Sequence, residues 1–494
     1  MLSRRKVGTA LLACLSAIGL VAPPAAASET SSGSLREYYA QRPAWSACDF
    51  DGKFQCTTIE APLDYRRPRG ERVKLAISRL EAADKQRRGA LLALDGGPGG
   101  LYGHGRATPA RLSGTRLNQV YDLIGFDPRG TGASTQLYCG VTQPSAPPDS
   151  RPPDSAFPAI AADARASWQA CERVSGHLMP YFTTVAAARD IDLIRAVLGE
   201  RKINYLGYGD ATYIGAVYGT MFGHHLDRSV LDSSRNPDVD WRGQHMSQAY
   251  AIRDNVEAWA TWVAERDSRF GLGGSRTEVI ATLERIATTL AGRPVGGLDR
   301  TGFDAAVGEG TIHRPTWDRF AEQVGALRSG SAEAAAALVP NDAAARSSEP
   351  LRWGLIEATT CEDDWPRDLD TYYRDMRRFR DRYPYGLGVV RAQVWVCAFR
   401  GYTPPERTPY IRRTGYPKGV VVHGIGNTVL RYDGGRAMAE RLRNSLITVP
   451  DEGDSEIYAV RGNACVDEYV TRYLMTGAQP PHRVTCAGPS RPRD

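Results

Sequence analysis

An apolar run at residues 203–208 breaks at Gly209 and passes, within three residues, into a helical pattern from Thr212. A strand that enters a helix through so short a turn lays that helix back against its own sheet, which is the repeating unit of an α/β layer. The first half repeats the alternation. Residues 73–80, 90–94, 123–126, 204–208 and 230–232 read as strands, and 186–198 as a helix between two of them. Several are apolar at every position, as strands covered on both faces are. The expected fold class is α/β, with a doubly wound, mostly parallel sheet.

From residue 236 the pattern changes. Helical stretches at 249–266, 276–290 and 368–382 dominate, and sheet character returns at 419–423 and 445–449. The helical segment therefore interrupts one sheet rather than ending it. The chain is expected to divide into a leader at 1–27, a first core part at 28–235, a helical cap at 236–410 and a second core part at 411–494. Residues 141–156, rich in Pro and Ser, read as a surface loop. A length of 494 residues suits one large domain with an insertion.

The first 27 residues have the layout of a secretory leader. Arg4, Arg5 and Lys6 precede an apolar stretch at 7–22, and Ala25, Ala26 and Ala27 offer a small-residue cleavage site. That stretch is shorter than the ~20 apolar residues of a membrane span. The mature chain is expected to be secreted, with no membrane attachment. The formal charge of +6 falls to about +3 once the leader is removed, too little and too scattered to mark a nucleic-acid partner. Removing Cys14 from the nine cysteines leaves eight, an even number that fits an oxidising compartment. Of 105 pairings the simplest joins neighbours: Cys48–Cys56, Cys139–Cys171, Cys361–Cys397 and Cys465–Cys486. No C-x-x-C occurs and the histidines are dispersed, so neither a metal nor a cofactor is expected.

The turn at Gly209 has chemical content. In G-x-S-x-G elbows the middle residue carries the serine that attacks an acyl carbon. Here the small flanks are Gly207 and Ala211, so the nucleophile position falls on Gly209, which has no side chain. Two further motifs follow strands: Gly96-Gly97-Pro98-Gly99-Gly100, whose glycines let backbone N–H groups approach an oxyanion, and Asp127-Pro128-Arg129-Gly130. A shifted elbow with Asp210 as nucleophile would need Tyr208 and Thr212 as its small flanks, and neither is small.

With these motifs the chain resembles the tripeptidyl aminopeptidase and proline iminopeptidase family of secreted α/β-hydrolases. Further points of likeness are residues 62–65, 187–192 before the elbow, Thr360-Cys361-Glu362-Asp363, and Asn463-Ala464-Cys465-Val466-Asp467. The resemblance implies a helical cap over the active site and an oxyanion hole at Gly97, Pro98, Gly99 and the N–H of Asp210. It also implies a triad that this chain does not supply. The serine maps to Gly209, the acid to Asn427 and the histidine to Asp454.

Three functions follow. The first is a pseudo-hydrolase that binds a peptide or small molecule in its capped pocket without cutting it. The second is a repurposed cyclase, isomerase or lyase using Tyr208, Asp210 and Asp454. The third is an aminopeptidase with its triad elsewhere, and the site argues against it. Oligomeric state stays open.

Overall fold

A computed structural model describes residues 32–84, 87–96, 105–339 and 351–493. The leader and the glycine-loop residues Gly97, Pro98 and Gly99 lie outside the described residues. Ten strands form the main sheet: β1 (Ser46–Ala47), β2 (Gln55–Pro62), β3 (Arg72–Leu80), β4 (Gly89–Leu94), β5 (Tyr121–Phe126), β7 (Ile203–Tyr208), β8 (Leu226–Asp232), β10 (Val420–Gly424), β11 (Ser445–Val449) and β12 (Arg483–Thr485). Their order is β1-β2-β3-β5-β4-β7-β8-β10-β11-β12. The first three pair antiparallel and β3 pairs antiparallel with β5; from β5 to β12 every pairing is parallel. This is an α/β-hydrolase sheet, with the order doubling back around β4 and β5.

The register places the functional loops together. Leu94 pairs with Gly207, Tyr208 with Asp232, Asp232 with Val422, and Gly424 with Val449. The segments beginning at Asp95, Gly209, Ser233, Ile425 and Pro450 thus leave the sheet side by side at its carboxyl edge, where open α/β sheets hold their ligands. Side chains alternate faces along β7 as the pleat requires. Tyr205 joins the apolar layer with Ile191 and Val217, whereas Leu206 and Tyr208 join the other layer with Val422, Ile447 and Val470.

Between β8 and β10 the chain is largely helical. The helices Trp241–Ala264, Arg276–Gly292, Arg300–Gly310 and Trp317–Arg328 bury a core of their own around Trp259, Trp317, Val263, Leu283 and Phe303. One strand interrupts them: β9 (Leu351–Trp353) pairs antiparallel with β6 (Tyr138–Gly140), an element too short to leave an alternation in the sequence. All four disulfides join neighbours as expected, Cys48–Cys56, Cys139–Cys171, Cys361–Cys397 and Cys465–Cys486. They fit a chain that folds in an oxidising environment. No described helix is long and apolar enough to cross a membrane.

Candidate functional site

Gly209 sits between β7 and the helix Ala211–Phe222 with φ of 55°, the left-handed region in which a side chain is strained. Its N–H donates to the Asp232 carbonyl at 2.9 Å, and Thr212 Oγ1 donates to its carbonyl at 2.6 Å. A Cβ added here would lie 3.1 Å from Gly96 Cα and 3.7 Å from Leu430 Cδ1. A Cβ on Gly96 would in turn fall 3.0 Å from the Asp210 nitrogen. The glycine loop therefore begins in contact with the elbow, and what the elbow presents to it is backbone alone.

Asp210 opens the helix, yet its side chain does not cap it. Its Oδ1 is buried without a hydrogen-bond partner. Burial pushes the carboxyl up to about 6, against the opposing pull of Arg235. The Arg235 guanidinium lies over the rings of Tyr213 (4.3 Å) and Trp241 (4.0 Å), with Nη2 3.4 Å from Asp363 Oδ2. Glu362 beside it accepts from Thr184 N–H (2.7 Å), Thr184 Oγ1 (2.6 Å) and Trp241 Nε1 (3.2 Å). Burial, and then the charge of Asp363, push the Glu362 carboxyl up to about 7. Asp210, Tyr213, Trp241, Phe182 and Thr184 enclose a void of about 20 Å³, room for roughly one water.

The two other mapped positions have different surroundings. Asn427 is 1% exposed; its Oδ1 accepts from the N–H groups of Val429 (3.0 Å) and Leu430 (2.9 Å), and its Nδ2 donates to Ser455 Oγ at 3.0 Å. It locks its own turn. Through Leu430 that turn reaches Gly209. Asp454 holds its carboxylate 3.5 Å from Arg461 Nη1 and 3.7 Å from His313 Nδ1 of the cap. The partner of Asn427 is thus Ser455 and not Asp454, and Asp454 shares no described partner with Asp210.

Tyr208 requires a correction. It is fully buried in the layer beneath the C-terminal segment, and its hydroxyl donates to the Tyr458 carbonyl at 3.0 Å. Burial raises its pKa well above the ordinary phenol value. The alternation along β7 puts it in the layer opposite Tyr205, and it does not line the Asp210 void. His423 is structural: its ring lies between the carbonyls of Gly424 (2.9 Å) and Ser234 (3.3 Å).

Sequence reading did not assemble Arg235, Trp241, Glu362 and Asp363 into one cluster, because more than 120 positions separate its two halves. Nor did it find the grip of the cap on these loops. Gln244 Nε2 donates to the Val429 carbonyl (3.0 Å) and Asn255 Nδ2 to the Gly426 carbonyl (2.7 Å). Asn255 Oδ1 accepts from the buried Arg314 Nη2 at 2.6 Å. A Cβ on Gly453 would fall 2.3 Å from the Ile312 carbonyl oxygen. The cap is thus bonded directly to the loops that carry Asn427 and Asp454. Among the described residues one group could hold a metal ion, Cys139, Cys171 and Glu357, but both sulfurs are in a disulfide, which leaves one carboxylate.

Residues 383–486 match the family model described as TAP-like protein. The chain is 32% identical over 486 residues to the tripeptidyl aminopeptidase of Streptomyces coelicolor, covering 91% of this chain and 86% of that protein. It is 26% identical over 506 residues to serine protease Hip1 of Mycobacterium tuberculosis, covering 97% and 96%. A solved proline iminopeptidase-related protein of Thermus thermophilus is 14% identical, covering 84% of this chain and 91% of that one, at a TM-score of 0.30. That score adds nothing to the assignment, which rests on the strand order and the Streptomyces match. The chain belongs to the tripeptidyl aminopeptidase family of α/β-hydrolases.

Proposed function

We propose that this family member binds a peptide or small molecule in the capped pocket at Asp210 and does not hydrolyse it. The observation that carries the reading is Gly209, a residue without a side chain on the turn where G-x-S-x-G elbows hold their nucleophile. Asn427 at the acid position is neutral, and Asp454 at the base position offers a carboxylate in place of an imidazole. Loss of the serine alone removes about 10⁶-fold of turnover in triad enzymes. The ligand's chemistry follows from Asp210. A carboxyl in the lining of the void favours an N–H donor, such as a peptide amino group. A void of about 20 Å³ admits little more than that group, so the rest of the ligand lies outside it. The mature protein is secreted in this reading, a location that the four disulfides support.

The test is chemical. Fluorophosphonate probes, which need an activated serine, should leave the mature protein unlabelled. Release of chromophore from aminoacyl or tripeptidyl anilides should not exceed that of a Gly209→Trp control. Stoichiometric labelling of the native chain would overturn the proposal. Gly209→Ser, Asn427→Asp and Asp454→His together should restore labelling, and no single change should, because the nucleophile needs its base and the base its acid.

Asp210 also favours a second reading, in which the pocket catalyses proton transfer as a cyclase, isomerase or lyase. A carboxyl at about 6 can give and take a proton near neutrality. Asp210→Asn separates the two: it weakens ligand binding in the first case and abolishes turnover in the second.

A further inference from the structure

Arg391 is a cation without a counterion. Its short helix, Gly388–Ala392, is wedged into the cap: Val389 packs with Phe157 and Met376, and Ala392 with Ala249 and Phe379. Those two buried residues fix the backbone. The Arg391 side chain between them is exposed and makes no hydrogen bond or ion pair with any described residue. Burial nevertheless lowers its pKa, and no carboxylate opposes that shift. A guanidinium that is open to solvent and yet closely surrounded lies in a concavity, not on a convex face.

The concavity adjoins the capped pocket through His245. Burial first, then the charges of Arg391 and Arg235, push the pKa of that imidazole down to about 4. The His245 ring is partly exposed and makes no hydrogen bond with a described residue. It lies 6.2 Å from the ring of Trp241, which lines the void at Asp210, and 5.2 Å from that of Trp395. Arg235 and Arg391 thus act on one histidine but differ in their partners. Asp363 answers Arg235 at 3.4 Å, and no acid answers Arg391.

We propose that Arg391 receives the carboxylate of the ligand whose amino group faces Asp210, with the rings of Trp241 and His245 along the body between. The inference rests on the reading of the capped pocket as a binding site and adds its selectivity, for short peptides with both ends free. An extended residue spans ~3.5 Å, so roughly two or three residues reach from the void past the His245 ring. A carboxylate meets a guanidinium with two parallel, charge-assisted hydrogen bonds, and a carboxamide lacks the charge.

Calorimetric titration of the mature protein with Ala-Phe-Ala, its C-terminal amide and its N-acetyl form tests this. The free peptide should bind at least tenfold more tightly than the amide. Arg391→Gln should remove that preference, and Arg391→Lys, which keeps the charge and loses the fork, should retain part of it. Both variants should melt with the parent protein, because Arg391 bonds to no described residue. The acetyl form reports on the Asp210 end separately. Equal affinity for free peptide and amide, or a preference that survives Arg391→Gln, would overturn this inference and leave the reading of Asp210 standing where acetylation still weakens binding. Binding of none of the three at millimolar concentration would overturn both.

Discussion

Asp210 shows what a single residue does to this site. In an oxyanion hole its N–H would be wanted and its carboxylate would not, since a negative charge ~5 Å from an oxyanion opposes it by about 3 kcal/mol at an effective dielectric near 20. Burial moderates the conflict by raising the carboxyl to about 6. The same shift links the residue to stability. Its proton is held more tightly folded than unfolded, so its contribution is full below about pH 4 and lost as pH rises through about 6. The loss is on the order of 2–3 kcal/mol. Asp210→Asn should therefore make the protein more stable at pH 7.5 and flatten the fall between pH 4 and 7.5, as read by urea denaturation. Part of the fall should remain, because burial also raises Asp232, to about 7, and Glu362. A variant with an unchanged pH profile would remove the assigned shift. Gly209 was legible in the sequence because an elbow is a local pattern. Tyr208 was misread because its neighbours in sequence do not reveal which side of β7 faces the void.

Among the elements, the strands were legible for the same reason that they are buried: β4, β5 and β7 are covered on both faces and carry almost no polar side chain. β6 and β9, three residues each, left no periodic trace. The cap was legible as a run of helices, but its attachment was not, since that depends on single polar residues within otherwise ordinary helices. Asn255 bears most on this attachment. It satisfies the Gly426 carbonyl and the buried Arg314 Nη2 at once, while Arg314 Nη1 donates to the Ile312 carbonyl and Nε lies 3.7 Å from Asp451 Oδ1. Asn255→Leu keeps the volume and strands the Gly426 carbonyl and Arg314 Nη2, a cost of about 3 kcal/mol. Hydrogen exchange should then quicken in residues 425–430 more than in β10. Uniform exchange across both would mean that the cap does not hold this loop.

At the scale of the whole molecule, the disulfides close four local loops and leave the core–cap boundary to hydrogen bonds and packing. Cysteine order suggested this connectivity as the simplest of 105 pairings, and it holds because each pair encloses a short segment. Thiol titration of the mature protein, denatured without reductant, should find no reactive thiol; two per chain would exclude one of the four bonds. The cluster of Arg235, Trp241, Glu362 and Asp363 lay beyond the sequence for the opposite reason. Its charges resemble ordinary surface charges until the fold buries them together.

The place of the cap between β8 and β10 also constrains how the chain can be born. β8 finds its outer neighbour only after the segment from Ser233 to Gly419 has been made, a wait of roughly 10–40 s at common rates of synthesis. Through that interval the apolar edge at Val230 and Leu231 faces no strand of its own sheet. An open edge of that kind recruits other chains. If the first core part folds before β10 has been made, that edge needs cover until β10 arrives.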